Sequence, residues 1–152
     1  MIDAEIGRFT VGVFQDTAWA AKGISALKDA GFTVDMFSML AKDAPDAAAL
    51  VEKTFGAKGD RFEIPAVGAV LGRGALVESL QGSGRDLGKV GVAGAMRRVG
   101  FQPHDGRIFE TLTGRGGILL AIQTESRAAD ALAILFSYGG GNAAIGAWTG
   151  RV

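Results

Sequence analysis

The 152 residues suit one domain of ordinary size, and a hydrophobic fraction of 48% with sixteen basic residues balancing sixteen acidic ones excludes a wholly disordered chain. That balance also leaves none of the basic excess usual in nucleic-acid-binding domains, so no nucleic-acid partner is expected. There is no cysteine and a single histidine, His104, which excludes disulfides, thiolate metal sites and iron–sulfur clusters; a zinc site would have to join His104 to carboxylates.

Phe9, Val11 and Val13 alternate with Thr10, Gly12 and Phe14, the pattern of a strand. Asp16 or Thr17 can then cap a helix that runs to about Ala30, with Ala20, Ile24 and Leu27 toward a core and Gly31 ending it. A second strand is expected over Thr33–Leu40. The same order recurs at the other end: a strand over Gly116–Gln123, a helix over Glu125–Tyr138 with Ala128, Leu132, Leu135 and Phe136 as its apolar stripe, a glycine stop, and a last strand over Ala143–Thr149. Two β-α-β halves predict an α+β fold of the ferredoxin-like plait type. The single domain, 1–152, divides into a first half (8–41), a mostly helical Gly/Ala-rich insertion (42–115) and a second half (116–150). Within the insertion, Asp46–Phe55 reads as a short helix and Phe62–Ile64 as a short extended piece. Pro65–Leu80 is small and apolar, Leu87–Val99 reads as a helix ended by Gly100, and Pro103–Thr113 as another closed by Gly114.

Both faces of the expected strands are apolar. Phe14, Phe37, Met39 and Leu119 are placed opposite the core-facing set, and so apolar a face needs a cover, either the insertion or a second subunit. These four are therefore candidate interface residues. Trp19 and Trp148 join them, because tryptophan is enriched in binding hot spots. The longest apolar-plus-glycine run, Ile64–Gly72, falls far short of the ~20 residues of a spanning helix. The first fifteen residues lack a basic n-region. A cytoplasmic chain without an integral membrane span is expected; peripheral membrane contact stays open.

Four blocks of sequence carry a family likeness. They are Val11-Gly-Val-Phe-Gln-Asp through Asp35-Met-Phe-Ser-Met-Leu, Ile64-Pro-Ala-Val-Gly-Ala-Val-Leu-Gly-Arg-Gly-Ala-Leu, Gly94-Ala-Met-Arg-Arg-Val-Gly-Phe, and Gly116-Gly-Ile-Leu-Leu-Ala-Ile with Ala131-Leu-Ala-Ile-Leu. In their order the chain resembles the bacterial general-stress-protein-like family, which includes low-temperature-induced and heat-induced stress proteins. The resemblance implies a stress-associated protein without an established catalytic function and carries over no active-site residues. The family's longer middle Gly-Ala stretch is here interrupted by Arg73, Glu78, Arg85, Asp86 and Lys89, which argues against a membrane-embedded role.

The glycines, 24 in all and about twice the usual ~7%, invite a phosphate-loop reading. Gly82-Ser-Gly-Arg-Asp-Leu-Gly-Lys89 fails it: the Walker spacing is wrong and Val90 stands where a hydroxyl should hold magnesium. Gly82, Gly84 and Gly88 also miss the dinucleotide spacing by one residue. Gly88, Gly91 and Gly94 recur every third residue inside an expected helix, at ~1 kcal/mol each relative to alanine. Either the helix is closely approached there or it is not regular. His104 could act as a general base with Asp105 or Glu110, although no hydroxyl nucleophile or second histidine is tied to it. Arg73 and Arg115, each within Gly-Arg-Gly, are candidate anion-binding residues against the plainer reading of structural ion pairs. The expectation is a non-enzymatic, self-associating, stress-related protein without metal or cofactor. The alternative is a small-ligand or anion-binding regulatory module.

Overall fold

The uncharged run Phe9–Phe14 forms β1, buried at every position. In a computed structural model, residues 9–65, 67–82, 86–98, 103–123 and 128–139 are described. Asp16 caps the helix that follows, α1 (Thr17–Asp29), by accepting from the Trp19 amide at 2.9 Å. Its other end closes as a Schellman turn. Phe32 N–H donates to Leu27 O, Gly31 N–H donates to Lys28 O, and Gly31 takes φ +102°.

The expected second strand starts late. Val34–Met36 form a 3₁₀ turn, with the Thr33 hydroxyl donating to Asp35, and β2 runs over Phe37–Lys42. Next come α2 (Pro45–Phe55), β3 (Asp60–Ile64), β4 (Gly68–Arg73), α3 (Ala75–Gln81), α4 (Asp86–Arg98), α5 (Pro103–Gly114), β5 (Ile118–Gln123) and α6 (Ala128–Ser137). The insertion is thus not purely helical: it adds a hairpin, β3–β4, to the sheet. The strand expected over 143–149 lies outside the described residues.

The five strands among the described residues form one sheet in the order β1-β5-β2-β4-β3, every neighbouring pair antiparallel. The fold is α+β. β5 lies between β1 and β2, with Val11 opposite Ala121 and Met39 opposite Leu120. One sheet face packs Phe14, Phe37, Met39, Ile118, Leu120 and Ile122 against Ile24 and Leu27 of α1, Leu50 and Val51 of α2 and Leu135 of α6. The other packs Phe9, Val11, Val13, Leu40, Val70, Leu119 and Ala121 against Leu76 and Leu80 of α3, Leu87 and Met96 of α4 and Phe109 of α5. The insertion itself therefore covers the second face. At ~1.5–3 kcal/mol for each large apolar side chain fully buried, these two layers supply the main stabilisation.

The small residues of the insertion make close contacts. Gly74 has φ +116°, and a Cβ there would meet Phe37 O and Ser38 Cα at 2.5 Å, so the turn from β4 into α3 lies directly on β2. The buried Ser38 hydroxyl accepts from Leu76 N at 2.8 Å and satisfies one of the orphan amides at the start of α3. α4 is broken at Gly91 (φ +78°, ψ −179°), where the Glu110 carboxylate of α5 accepts from Ala93 N at 3.4 Å. Gly106 on α5 is a close approach, since an added Cβ would lie 3.2 Å from Ala93 O. Of the glycine series, Gly91 bears the irregular reading, while a Cβ at Gly88 would make only ordinary contact, 3.4 Å from Glu63 O. Arg98 ties α4 to the end of α3 by donating to the Ser79 and Leu80 carbonyls.

Replacing Ser38 with alanine leaves a buried amide without its acceptor and should lower stability by about 1–3 kcal/mol. Gly74→Ala should lower it further, because positive φ and backbone contact act together. Urea unfolding with an unchanged m-value would read both; wild-type stability in Ser38→Ala would show that the contact contributes nothing.

Candidate functional site

The end of the sheet where β1 hands over to α1 and α5 hands over to β5 gathers the candidate site. α5 stops in a second Schellman turn: Gly117 N–H donates to Leu112 O, Gly116 N–H to Thr113 O, and Gly116 takes φ +99°. Gly117 is pressed on β1, since a Cβ there would meet Val13 Cγ1 at 2.6 Å and Phe14 O at 3.1 Å. The Gly-Arg-Gly at 114–116 is thus first of all a helix stop. Lys42 Nζ donates to Gly114 O at 3.2 Å, a cation at the negative end of the helix.

Arg115 projects beside this turn, exposed, and makes no ion pair with any described residue. It lines a cavity of about 360 Å³ with Val13, Phe14, Gln15, Leu112, Gly117 and Gly139. A second cavity, about 350 Å³, adjoins across Gln15 and Gly139 and is walled by Trp19, Phe136, Ser137 and Tyr138. Trp19 is 39% exposed and Phe136 64%. Lys22 Nζ sits 4.8 Å from the centroid of the Trp19 ring, a cation–π contact on the same face.

Phe136 departs from the expected apolar stripe of α6. Among the side chains described on α6, Ala131 and Leu135 are buried and Ile134 and Tyr138 partly buried; Phe136, a step of about 100° beyond Leu135, faces outward. A strict reading of the i, i+4, i+7 spacing 131–135–138 would have left Phe136 off the core.

The other candidates lie apart. Phe14, Phe37 and Met39 belong to the α1–α2–α6 layer and Leu119 to the α3–α5 layer. All four are at most 1% exposed within the single chain, and they divide between two covered faces rather than sharing the one expected. Trp148 lies outside the described residues. Arg73 ends β4 at the opposite end of the sheet from Arg115. It donates to Lys58 O at 3.1 Å and shares a cavity of about 330 Å³ with Asp35, Asp60 and Glu78, so the structure does not bring the two arginines together.

His104 is 71% exposed, with Asp105 Oδ1 3.6 Å from Nδ1. Glu110, the other carboxylate weighed as its partner, is instead occupied at the α4 break. Among the described residues no group of three His, Asp or Glu side chains could hold a metal ion. At the far edge Arg61 pairs with Asp43 at 2.6 Å, and this hydrogen bond holds the guanidinium pKa above its ordinary value.

Compared with protein-family models, curated proteins and solved structures, the chain matches none of them. No helix among the described residues is long and apolar enough to cross a membrane.

His104→Ala should leave folding stability within about 0.5 kcal/mol of the parent, as for an exposed side chain that holds nothing in place. A larger loss in chemical denaturation would show that the imidazole supports the start of α5.

Proposed function

We propose that this is a non-enzymatic protein that associates with copies of itself through the α1–α6 face. One observation carries the reading: Trp19 and Phe136 both stand exposed around one cavity, on a helical layer whose other large apolar side chains, among the described residues, are buried or partly buried. Large exposed aromatics clustered on one face mark interaction surfaces more often than scattered ones do, and tryptophan is a frequent anchor. Helices on both sides cover the apolar sheet within the single chain, and the exposed apolar surface lies on the helices instead. The stress-related role rests on the four-block resemblance. The cytoplasmic location and the lack of a nucleic-acid partner rest on the sequence and its balanced charge.

The fold reading that accompanies this proposal is a ferredoxin-like plait. In β1-β5-β2, the first strand of the second half lies between the two strands of the first half, as a plait requires, and β4–β3 extend the sheet beyond β2. A second function, anion binding, is favoured by Arg115, a cation beside a cavity without a carboxylate partner among the described residues.

Sedimentation equilibrium over a wide concentration range should show a reversible dimer or higher oligomer. Trp19→Ala or Phe136→Ser should weaken it about thirtyfold, the loss of a ~2 kcal/mol hot spot. A parent chain that stays monomeric throughout overturns the proposal. For the second function, phosphate titrated by NMR should shift the amides of 115–117 in the parent and not in Arg115→Gln; unmoved amides in the parent sink it.

A further inference from the structure

We infer that the end of the sheet opposite Arg115 carries a binding site for a small zwitterion, a molecule with one ammonium, one carboxylate and an apolar body. The site stands apart from the α1–α6 face and from the Arg115 cavity, and it rests on neither of those readings.

The 3₁₀ turn, the start of β2, the end of α2, the start of β3 and the turn from β4 into α3 meet around a cavity of about 330 Å³. Small-molecule sites begin at ~300 Å³, so the space suits a ligand of amino-acid size. Much of its lining is apolar. Phe37 of β2 and Val77 of α3 are buried, and Phe55 at the end of α2 is partly buried. Val34 is 38% exposed, one of four large apolar side chains so exposed among the described residues, and an apolar ligand body would cover it. The lining is held in place before any ligand arrives. Gly74 rests the turn on Phe37 O and Ser38 Cα, and the Ser38 hydroxyl fixes Leu76 N at the start of α3. Val77 and Glu78 follow directly, so β2 sets their positions, and a preformed site loses less on binding.

The charges around the cavity select the ligand. Asp35 comes from the 3₁₀ turn, Asp60 from β3, Glu78 from α3 and Arg73 from the end of β4. Opposite charges on one wall commonly pair, yet Arg73 makes no ion pair with any described residue. Its Nη1 donates to the Lys58 carbonyl, and the rest of the guanidinium fork suits a ligand carboxylate. The Asp35 carboxylate accepts from the Thr33 hydroxyl and keeps further lone pairs. The carboxylates do not converge on one point either: among the described residues no three His, Asp or Glu side chains could hold a metal ion. Acceptors set apart around a space match the diverging N–H groups of an organic ammonium better than they match a bare cation. A simple anion would meet three carboxylates, and a simple amine would leave Arg73 unmet. A molecule bearing both charges answers both sides of the cavity.

Three probes share one apolar body and differ in charge: L-leucine, isoamylamine, which lacks the carboxylate, and isocaproate, which lacks the ammonium. Each is titrated into the full chain at constant ionic strength and followed by amide NMR. L-leucine should shift the amides of Val34–Phe37 and Arg73–Glu78 saturably, and should bind about tenfold tighter than either truncated probe. Arg73→Gln should remove its advantage over isoamylamine, and Glu78→Gln should reduce its advantage over isocaproate. Arg73→Lys keeps the charge without the fork and should fall between parent and Arg73→Gln. The parent titration decides the matter whether or not a variant folds. No saturable shift there overturns the inference. So does isoamylamine binding as tightly as L-leucine, which would leave only a negative surface that gathers cations. Isocaproate binding as tightly as L-leucine overturns it too, because the carboxylates would then contribute nothing.

Discussion

Ile118, Leu120 and Ile122 enter one layer of the molecule and Leu119 and Ala121 the other, and none of the five is more than 2% exposed. A strand apolar on both faces stays in solution only if helices cover both, so β5 imposes a three-layer arrangement on whatever surrounds it. α1, α2 and α6 meet one requirement, and α3, α4 and α5 the other. β1 and β2 are close in sequence yet do not pair; each pairs with β5, which arrives some seventy residues after β2. The sheet therefore depends on long-range pairing, and the insertion that separates its partners also shields them.

This division explains which parts of the fold were legible. β1, α1 and β5 follow from local rules: alternation, an Asp cap, a glycine stop and a short continuous apolar run. The hairpin over 60–73 was not. Asp60-Arg61-Phe62-Glu63 buries little, and Gly68 to Arg73 is rich in glycine, so neither strand shows the β-branched alternation that marks one. What holds them is β2, whose Met39 to Lys42 pairs with Arg73 to Val70. Such pairing cannot be read from a window of a few residues. The late start of β2 has a local cause, because the Thr33–Asp35 contact favours a turn over the extended backbone that Val34 alone would prefer.

The site was legible in its residue types and not in its geometry. Trp19 and Arg115 stand out in the sequence by residue type and neighbours, but no sequence rule says that Gln15 and Gly139 join their surroundings. The two Gly-Arg-Gly stretches look alike as text. One is a Schellman stop after α5, and the other is a strand end followed by a turn packed on Ser38. Their arginines therefore meet different company: Arg73 has a carbonyl and three nearby carboxylates, whereas Arg115 lies near Lys42 and a cavity. Identical motifs diverge because the flanking glycines relieve different strains.

The glycine excess then follows from the three-layer demand. Three layers within this chain length require helices to lie close to strands and to one another, and tight stops to return them. Gly31 and Gly116 provide stops, Gly74 and Gly117 let turns rest on β2 and β1, and Gly106 lets α5 approach α4. Gly91 shows the cost of such packing, since it breaks α4 and frees amides inside the fold. Glu110 answers that cost by turning inward to Ala93, and so is taken away from His104. The carboxylate best placed in sequence to assist the only histidine is thus committed to packing.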